Sequence, residues 1–170
     1  MSKFVALLRA INVGGTSMLA MKELSAMCIE LGFQNVRTYI QSGNVVFETR
    51  LSEEKARAAL EETLARRMGK KIDVMVRSAS ELRSILEANP FPEALQAKVI
   101  VMFLPGPAPK GVLDDLRGPD GEEVRSGHRE IYIYYPNGMG RSKLKLPSAL
   151  GLGTARNMNT VAKLVAMVSP

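Results

Sequence analysis

At 170 residues, with 46% apolar and 24% charged side chains, the chain has the composition of one globular domain or of two small halves. Its one cysteine excludes an internal disulfide, its one histidine argues against a zinc site, and it lacks an apolar run long enough to span a membrane. The net charge of +6 is uneven, because no acidic residue precedes Glu23 or follows Glu130. We therefore expect a cytoplasmic protein with no membrane partner, no metal and no other cofactor, whose end segments can meet anions.

The first half, residues 1–77, has the alternation of strands and helices that is typical of a βαββαβ unit. The predicted strands are 4–8, 36–40, 45–47 and 72–76, and the predicted helices are 21–31 and 53–68. Gly32 and Gly69 follow these helices at the position where glycine commonly ends a helix, and Ser52 precedes the second helix as its N-cap. This order predicts a ferredoxin-like half.

The second half, residues 78–170, loosely repeats the element order of the first, although no residue-level repeat is visible. The predicted elements are a short helix capped by Ser80, strands at 98–104, 122–125 and 130–135, helical turns at 112–116 and 142–150, and a final amphipathic helix with apolar positions from 158 to 168. The sequence therefore predicts an α+β fold of two ferredoxin-like halves packed as one unit.

Polar and glycine residues in three segments are the candidate ligand-binding residues, because they offer guanidinium groups, amides, hydroxyls and backbone N–H groups that suit an anion or a polar ligand better than proton transfer. They are Arg9, Asn12, Gly14, Gly15, Gln41, Ser42, Asn44, Arg156, Asn157, Asn159 and Thr160. In a βαββαβ unit, successive elements alternate in direction. Segments 12–17 and 41–44 should therefore emerge at one rim, together with Lys70 and Lys71.

Each segment also has a purely structural interpretation, and the sequence leaves both open. Gly14 and Gly15 suit a tight turn, and residues 42–44 suit an ordinary hairpin turn. Thr154 or Asn157 can serve as a helix N-cap. For the functional interpretation we predict that Arg9 and Arg156 bind an anion, and that segment 154–160 shares a cleft with the other two.

Catalytic residues are not identified by the sequence. His128 falls in a predicted hairpin turn, and Cys28 lies on the apolar stripe of the first helix, where a buried structural thiol is the default. Tyr39, beside the 41–44 turn, is the acid/base candidate if the protein is an enzyme.

The combination of four motifs resembles a bacterial family, domain of unknown function 1697. The motifs are LLRAINVGG, the helix-closing LGF with VRTYIQSGNVVF, the NPF at 89–91, and TARNMNT at 154–160. The resemblance covers essentially the whole chain and implies an α+β fold of two ferredoxin-like halves, with no known activity. Met158 departs from the pattern, because an aromatic residue is expected between the Arg-Asn and Asn-Thr pairs.

The leading hypothesis is a soluble binding protein for an anionic or phosphate-bearing ligand at this Gly/Asn/Arg rim. The alternatives are an Arg/Tyr-based enzyme acting on a phosphorylated substrate, and an assembly or interaction protein of undetermined oligomeric state. Nucleic acid is a further possible partner, but aromatic residues make up only 5% of the chain and the predicted central strands carry few of them.

Overall fold

The computed structural model describes residues 1–109, 113, 116, 118–147, 150 and 153–169. In these residues the strands are β1 (Ser2–Leu8), β2 (Gln34–Tyr39), β3 (Asn44–Thr49), β4 (Val74–Ser78), β5 (Val99–Phe103), β6 (Glu123–Ser126), β7 (Glu130–Tyr134) and β8 (Thr154–Asn157). The α-helices are α1 (Met21–Glu30), α2 (Glu53–Met68), α3 (Ala79–Glu87) and α4 (Met158–Val168). Short 3₁₀ turns cover Gln96–Lys98 and Met139–Arg141. None of the described helices combines the length and the apolar composition needed to cross a membrane.

The chain divides into two units, Met1–Arg83 with Leu164–Pro170, and Ser84–Lys163. The first unit contains an antiparallel sheet of strand order β2-β3-β1-β4, and the second contains one of order β6-β7-β5-β8. Numbered within its own sheet, each follows the same order, which is that of a ferredoxin-like fold. The predicted α+β class is thus confirmed. The predicted boundary lies between residues 77 and 78, whereas this division falls between Arg83 and Ser84 and groups the C-terminal residues with the first unit.

Helix α1 ends where the sequence predicts because Gly32 adopts a φ of 84°. The Gly32 N–H donates to the Ile29 carbonyl at 2.9 Å, and the Phe33 N–H donates to the Cys28 carbonyl at 3.1 Å. These two bonds are those of a Schellman motif, and they satisfy carbonyls that the end of a helix otherwise leaves unpaired. Phe33, only 4% exposed, then turns into the core.

Helix α2 is delimited in the same way. The Ser52 hydroxyl accepts a hydrogen bond from the Lys55 N–H at 3.2 Å, which confirms the predicted N-cap. Gly69 adopts a φ of 72° and donates its N–H to the Ala65 carbonyl at 3.0 Å. The negative charges of Glu53 and Glu54 in the first turn interact favourably with the positive end of the helix dipole.

One face of the first sheet packs against α1 and α2 to form the core of the first unit. The sheet residues in this core are Phe4, Ala6, Leu8, Val45, Phe47, Val74 and Val76, and the helix residues include Leu24, Cys28, Ala56, Leu60 and Leu64. The alternation of these positions along β1 is the period of two that a strand requires. The core therefore fixes which face of each strand packs against the helices.

Strand β8 is not among the predicted strands, because residues 154–157 are expected only to lead into the final helix and to cap it. They pair antiparallel with β5, with Thr154 opposite Phe103 and Arg156 opposite Val101. The sequence TARN has neither a β-branched run nor an apolar alternation, so its strand character comes from its pairing partner. The helix starts only at Met158, which is 2% exposed and belongs to the buried apolar side of the helix.

Two smaller expectations are corrected. Helix α3 begins at Ala79, and its first turn is capped by Ser78, whose hydroxyl accepts the Glu81 N–H at 3.2 Å, rather than by Ser80. Residues 142–147 are not helical. The rest of the helical turns predicted at 112–116 and 142–150 falls largely outside the described residues.

We predict that the chain unfolds in one thermal transition. Helices α3 and α4 each contain residues of both units, so the unfolding of one unit alone would break two helices within their length. Calorimetry should give equal calorimetric and van't Hoff enthalpies. Two separated transitions, or native-like folding of an isolated fragment 1–77, would contradict this prediction.

Candidate functional site

Three loops meet at one edge of the first sheet. The Leu8 N–H donates to the Gly43 carbonyl at 2.9 Å, and the Arg9 N–H donates to the Asp73 carbonyl at 3.0 Å. A third bond, from the Asn12 amide to the Gln41 carbonyl at 2.8 Å, joins the first two loops farther out. We call residues 9–19, 40–43 and 69–73 together the loop rim. The structure thus places segments 12–17 and 41–44 with Lys70 and Lys71 at the same edge, as the alternating strand directions predict.

The Asn12 carboxamide ties the rim together. Its oxygen accepts the Leu19 N–H at 2.8 Å, and its Nδ2 donates to the Leu19 carbonyl at 2.9 Å and to the Gln41 carbonyl at 2.8 Å. Both amide protons are therefore used, and the main-chain N–H of Asn12 donates to the Ser17 carbonyl at 3.0 Å. The residue sits at a φ of 53°, a left-handed conformation that asparagine tolerates better than most residues. Asn12 thus has a structural role in this loop.

Residues 13–16 form a tight two-residue turn at the tip of the rim. Gly14 and Gly15 have φ values of 59° and 77°, which is the pair of positive angles that a type I′ turn needs. The Thr16 N–H and hydroxyl both donate to the Val13 carbonyl, at 3.0 Å and 2.9 Å. A Cβ atom added at either glycine would meet no heavy atom within 4 Å, so the tip protrudes into open space. The turn interpretation of these glycines is sufficient to explain them.

The β2–β3 turn is held by a buried amide. Asn44 is fully buried, and its Nδ2 donates to the Tyr39 carbonyl at 2.9 Å and to the Ser42 hydroxyl at 3.0 Å. Gly43 has a φ of 89°, and a Cβ there would lie 2.6 Å from Ile11 Cδ1, so no other residue fits without movement. Gln41 and Ser42 are exposed. Of the predicted ligand residues in this turn, these two face solvent and Asn44 does not.

Positive charge on the rim comes from Arg9, which is partly exposed, and from the exposed Lys70 and Lys71. Asp73 is the one acidic residue in the rim segments, and its Oδ1 lies 3.6 Å from Lys71 Nζ. An exposed pair of this kind contributes little energy and leaves the lysine hydrated. The rim is therefore a cationic edge with rigid turns.

The remaining predicted ligand residues lie in the second unit and have internal partners. Arg156 is 7% exposed and donates from Nη1 to Thr154 Oγ1 and to the Ala155 carbonyl, both at 2.8 Å. Burial lowers the pKa of Arg156 to about 10, because a low-dielectric environment disfavours its charged form.

The first turn of α4 also differs from an open anion-binding site, because a side chain of the protein caps it. Asn157 Oδ1 accepts the Thr160 N–H at 2.9 Å, so Asn157 is the N-cap of α4 and satisfies one of its end donors. Thr160 is buried and Asn159 is exposed. The predicted meeting of segment 154–160 with the loop rim stays a prediction.

Sequence reasoning missed a repeated row of arginines. In the first sheet the cross-strand row is Arg37, Val46, Val5 and Arg77, and in the second it is Arg125, Tyr132, Val101 and Arg156. The two rows occupy equivalent strands in equivalent register. Each row therefore has an arginine at both ends, a correspondence that only the strand register reveals.

These arginines bond to the protein itself. Nη1 of Arg77 and Nη1 of Arg125 each donate to the carbonyl of the preceding residue at 2.9 Å, as Arg156 does at 2.8 Å. Arg37 donates to the Met167 carbonyl at the C-terminal end of α4, where a cation complements the helix dipole. Arg37 also lines a cleft of about 240 Å³ in the first unit, in which Asn35 bonds to Glu48. Arg37 and Glu48 are thus engaged in internal contacts, and Lys3 is a further charged residue of the cleft lining.

The other residues that could take part in catalysis lie far apart in the chain and have different environments. Cys28 is buried, and burial raises its pKa to about 12. Tyr39 lies at the end of β2 and His128 is exposed between β6 and β7. Glu130, which sequence reasoning did not select, is 4% exposed, and its Oε2 has no hydrogen-bond partner among the described residues. Within the same residues, no group of three histidine, cysteine or acidic side chains is placed to hold a metal ion.

Two four-stranded antiparallel sheets of one strand order, together with the helices, define a protein of two ferredoxin-like halves of the α+β class. The chain belongs to the family described as "Protein of unknown function (DUF1697)", whose model matches residues 1–132. The structure of conserved bacterial protein SP0830 from Streptococcus pneumoniae is similar over 99% of both chains, with a TM-score of 0.79 and 24% sequence identity. No curated protein matches the chain. These comparisons confirm the resemblance and the fold.

We predict that Asn12→Ala lowers the free energy of unfolding by about 3 kcal/mol, because three hydrogen bonds of about 1 kcal/mol each are lost. Asn12→Asp keeps the oxygen that accepts the Leu19 N–H but loses both donors, so most of the loss should remain. Urea unfolding would measure both changes. Asn159→Ala, at an exposed position, is the control and should stay within about 0.5 kcal/mol of the wild type. Equal stability of the two alanine variants would show that the amide is dispensable.

We also predict that Cys28 does not react with a thiol reagent in the folded protein. At a pH near the ordinary thiol pKa of about 8.5, a buried group whose pKa is about 12 stays protonated and shielded. An assay with dithiobis(nitrobenzoate) should give almost no release of thionitrobenzoate until urea is added, and then one equivalent per chain. Rapid labelling without denaturant would contradict the buried placement and would reopen thiol chemistry.

Proposed function

We propose that this protein binds an anionic or phosphate-bearing ligand at the loop rim. The observation that supports this most is the exposure of Lys70 and Lys71 at an edge whose loop segments contain a single acid, Asp73. Beside them, Gln41 and Ser42 offer an exposed amide and hydroxyl, and Gly14 and Gly15 allow close approach of a ligand to the main chain. Phosphate oxygens are bound well by this mixture of cationic and neutral donors.

Rigidity of the rim favours binding as well. The loops are already ordered by the Asn12 and Asn44 amides, so a ligand would not have to order them and lose affinity in doing so. Asn12 and Asn44 act in this proposal as positioning residues, whereas Lys70, Lys71, Gln41 and Ser42 touch the ligand.

The lone buried thiol, Cys28, is consistent with a reducing compartment, and we propose a cytoplasmic location.

A nucleic-acid function of the RNA-recognition type receives no support from the first sheet. Such modules stack bases on exposed aromatic side chains of the central strands. Phe4 of β1 and Phe47 of β3 are 5% and 2% exposed, and both belong to the core on the helix side. A small phosphate compound or a phosphate-bearing surface fits the exposed groups better.

We predict that a phosphate-bearing compound raises the Tm of the wild-type protein by several degrees. A ligand at about 100 times its Kd stabilises the folded state by about 2.7 kcal/mol through mass action. A thermal-shift screen should compare inorganic phosphate, nucleotides, sugar phosphates and a linear polyphosphate. The double variant Lys70→Ser/Lys71→Ser should lose the shift, because it removes the two exposed cations.

The control for this experiment is Lys55→Ser/Arg66→Ser, which makes the same change in net charge on exposed positions of α2. It should keep the shift. Equal loss in both double variants would mean that only overall charge matters, and the absence of any shift in the wild type would reject the proposal.

A further inference from the structure

Large apolar side chains are exposed on the loop rim itself. Val13 and Met18 are each 62% exposed, and Ile40 is 48% exposed. Val13 and Met18 belong to the loop that carries the glycine tip, and Ile40 belongs to the β2–β3 turn. The Asn12 bond to the Gln41 carbonyl joins these two loops, so the three side chains occupy neighbouring parts of one edge. Single exposed apolar residues are common on proteins, but three on one rigid edge are worth a functional explanation.

Ile40 also adopts an unusual main-chain conformation. Its φ of 50° is a genuine outlier for a β-branched residue. Burial of the Ile40 side chain does not offset the cost of this conformation, since almost half of the side chain is exposed. Backbone strain of this kind persists where the surroundings fix it, here through the Asn44 bond to the neighbouring Tyr39 carbonyl. The outward placement of Ile40 is therefore part of a fixed turn.

The apolar side chains share their edge with cations. Lys70 and Lys71 are exposed on the third loop, which the Arg9 N–H joins to the first loop through the Asp73 carbonyl. A surface that combines apolar side chains with lysines fits a partner that is apolar inside and anionic outside. A second copy of this chain does not meet that requirement, because it would bring two sets of like charges together.

Shape and size select among anionic partners. The tip around Gly14 and Gly15 protrudes into open space and is not a groove. A stable protein interface uses about 20 to 30 residues on each side, whereas only twelve residues of the loop rim are exposed. A bilayer interface requires no matching groove, and it adds small apolar insertions to the attraction between lysines and lipid phosphates. Three apolar side chains and a pair of lysines suit weak, reversible binding to such a surface.

We propose that the loop rim docks on the surface of an anionic phospholipid bilayer, with Val13, Met18 and Ile40 in the interface and Lys70 and Lys71 against headgroup phosphates. The proposal rests on the proposed function in one respect, since it identifies the phosphate-bearing ligand as a lipid headgroup. It departs from the sequence-based expectation of no membrane partner, which considered only spanning segments.

Vesicle sedimentation tests the proposal with the full-length chain. The wild type should sediment with vesicles of phosphatidylcholine and phosphatidylglycerol and remain in the supernatant with vesicles of phosphatidylcholine alone. Each lysine near an anionic surface contributes about fivefold in partitioning, so Lys70→Ser/Lys71→Ser should bind about 25-fold more weakly. Met18→Asp should also bind at least about fivefold more weakly, because it adds a negative charge where an apolar group enters.

The matched control is Leu95→Asp, which makes the same charge change at an apolar side chain that is 65% exposed in the second unit. It should bind like the wild type, and circular dichroism should show each variant folded. Val13→Asp replaces Met18→Asp if the latter is unstable. Equal weakening by Leu95→Asp and Met18→Asp overturns the proposal, as does wild-type binding that is no stronger with phosphatidylglycerol than without it.

A parallel arm with soluble glycerol phosphate separates this proposal from the proposed function. A Tm rise with glycerol phosphate but no vesicle binding keeps the rim as a small-ligand site and rejects docking. Vesicle binding that Lys70→Ser/Lys71→Ser and Met18→Asp weaken, without any response to glycerol phosphate, supports docking and rejects the small-ligand function.

Discussion

One carboxamide orders the edge of the first sheet on which both proposals depend. The loop after β1 has few apolar side chains to hold it, apart from Ile11 and Leu19, which are 2% and 1% exposed. Between these two anchors, Asn12 bonds to the main chain of Leu19 and across to Gln41. Because the amide satisfies main-chain groups at the far end of the loop and in the neighbouring turn, the residues between Asn12 and Leu19 need no core of their own. The glycine tip and its apolar neighbours are consequently displayed outward in a fixed geometry.

The net charge of +6 overstates what the molecule can offer to an anion. The arginines that the sheets carry donate to carbonyl oxygens, and Arg83 donates to the Ser169 hydroxyl at 2.7 Å. A guanidinium has five donors in a planar fork and suits such internal bonds, whereas a lysine ammonium is a compact, strongly hydrated charge. The exposed charge on the rim therefore lies mainly on lysines, whereas Arg156 is buried and its role in anion binding stays a prediction.

Local signals in the sequence were sufficient wherever short-range chemistry decides the structure. Ser52, Gly32 and Gly69 mark helix ends through bonds to residues a few positions away, and the hairpin at Gly43 follows from its own turn geometry. Alternating directions in a βαββαβ unit then predicted the meeting of the three loops. What could not be predicted depends on long-range pairing, since β8 is a strand because β5 lies beside it. The hydrogen-bond partners of polar side chains could not be predicted either. An asparagine in a loop looks the same in the sequence whether its amide bonds to a carbonyl or to solvent.

The arginine rows escaped detection because the spacing between equivalent positions changes from strand to strand, as insertions in the loops shift the frame. The strand register shows which positions of the two sheets are equivalent. The main-chain hydrogen bond from the Leu8 N–H to the Gly43 carbonyl, for example, corresponds to the bond from the Leu104 N–H to the Arg129 carbonyl, and both are 2.9 Å long. The comparison also shows where the halves differ. Gly43 is required because Ile11 lies against it, whereas the equivalent position in the second unit carries the side chain of Arg129.

The contrast between Gly43 and Arg129 indicates where the first unit is specialised. A loop that folds back over its neighbouring turn leaves no room for a side chain on that turn, so glycine at position 43 is the mark of such a loop. The second unit keeps the sheet and the arginine row, yet an arginine stands where this close approach would require glycine. The shared rows thus belong to the sheet architecture that both halves have in common. The packing of Ile11 on Gly43, and with it the loop rim, belongs to the first half, and a ligand or a surface recognised there would meet one copy of the site in each chain.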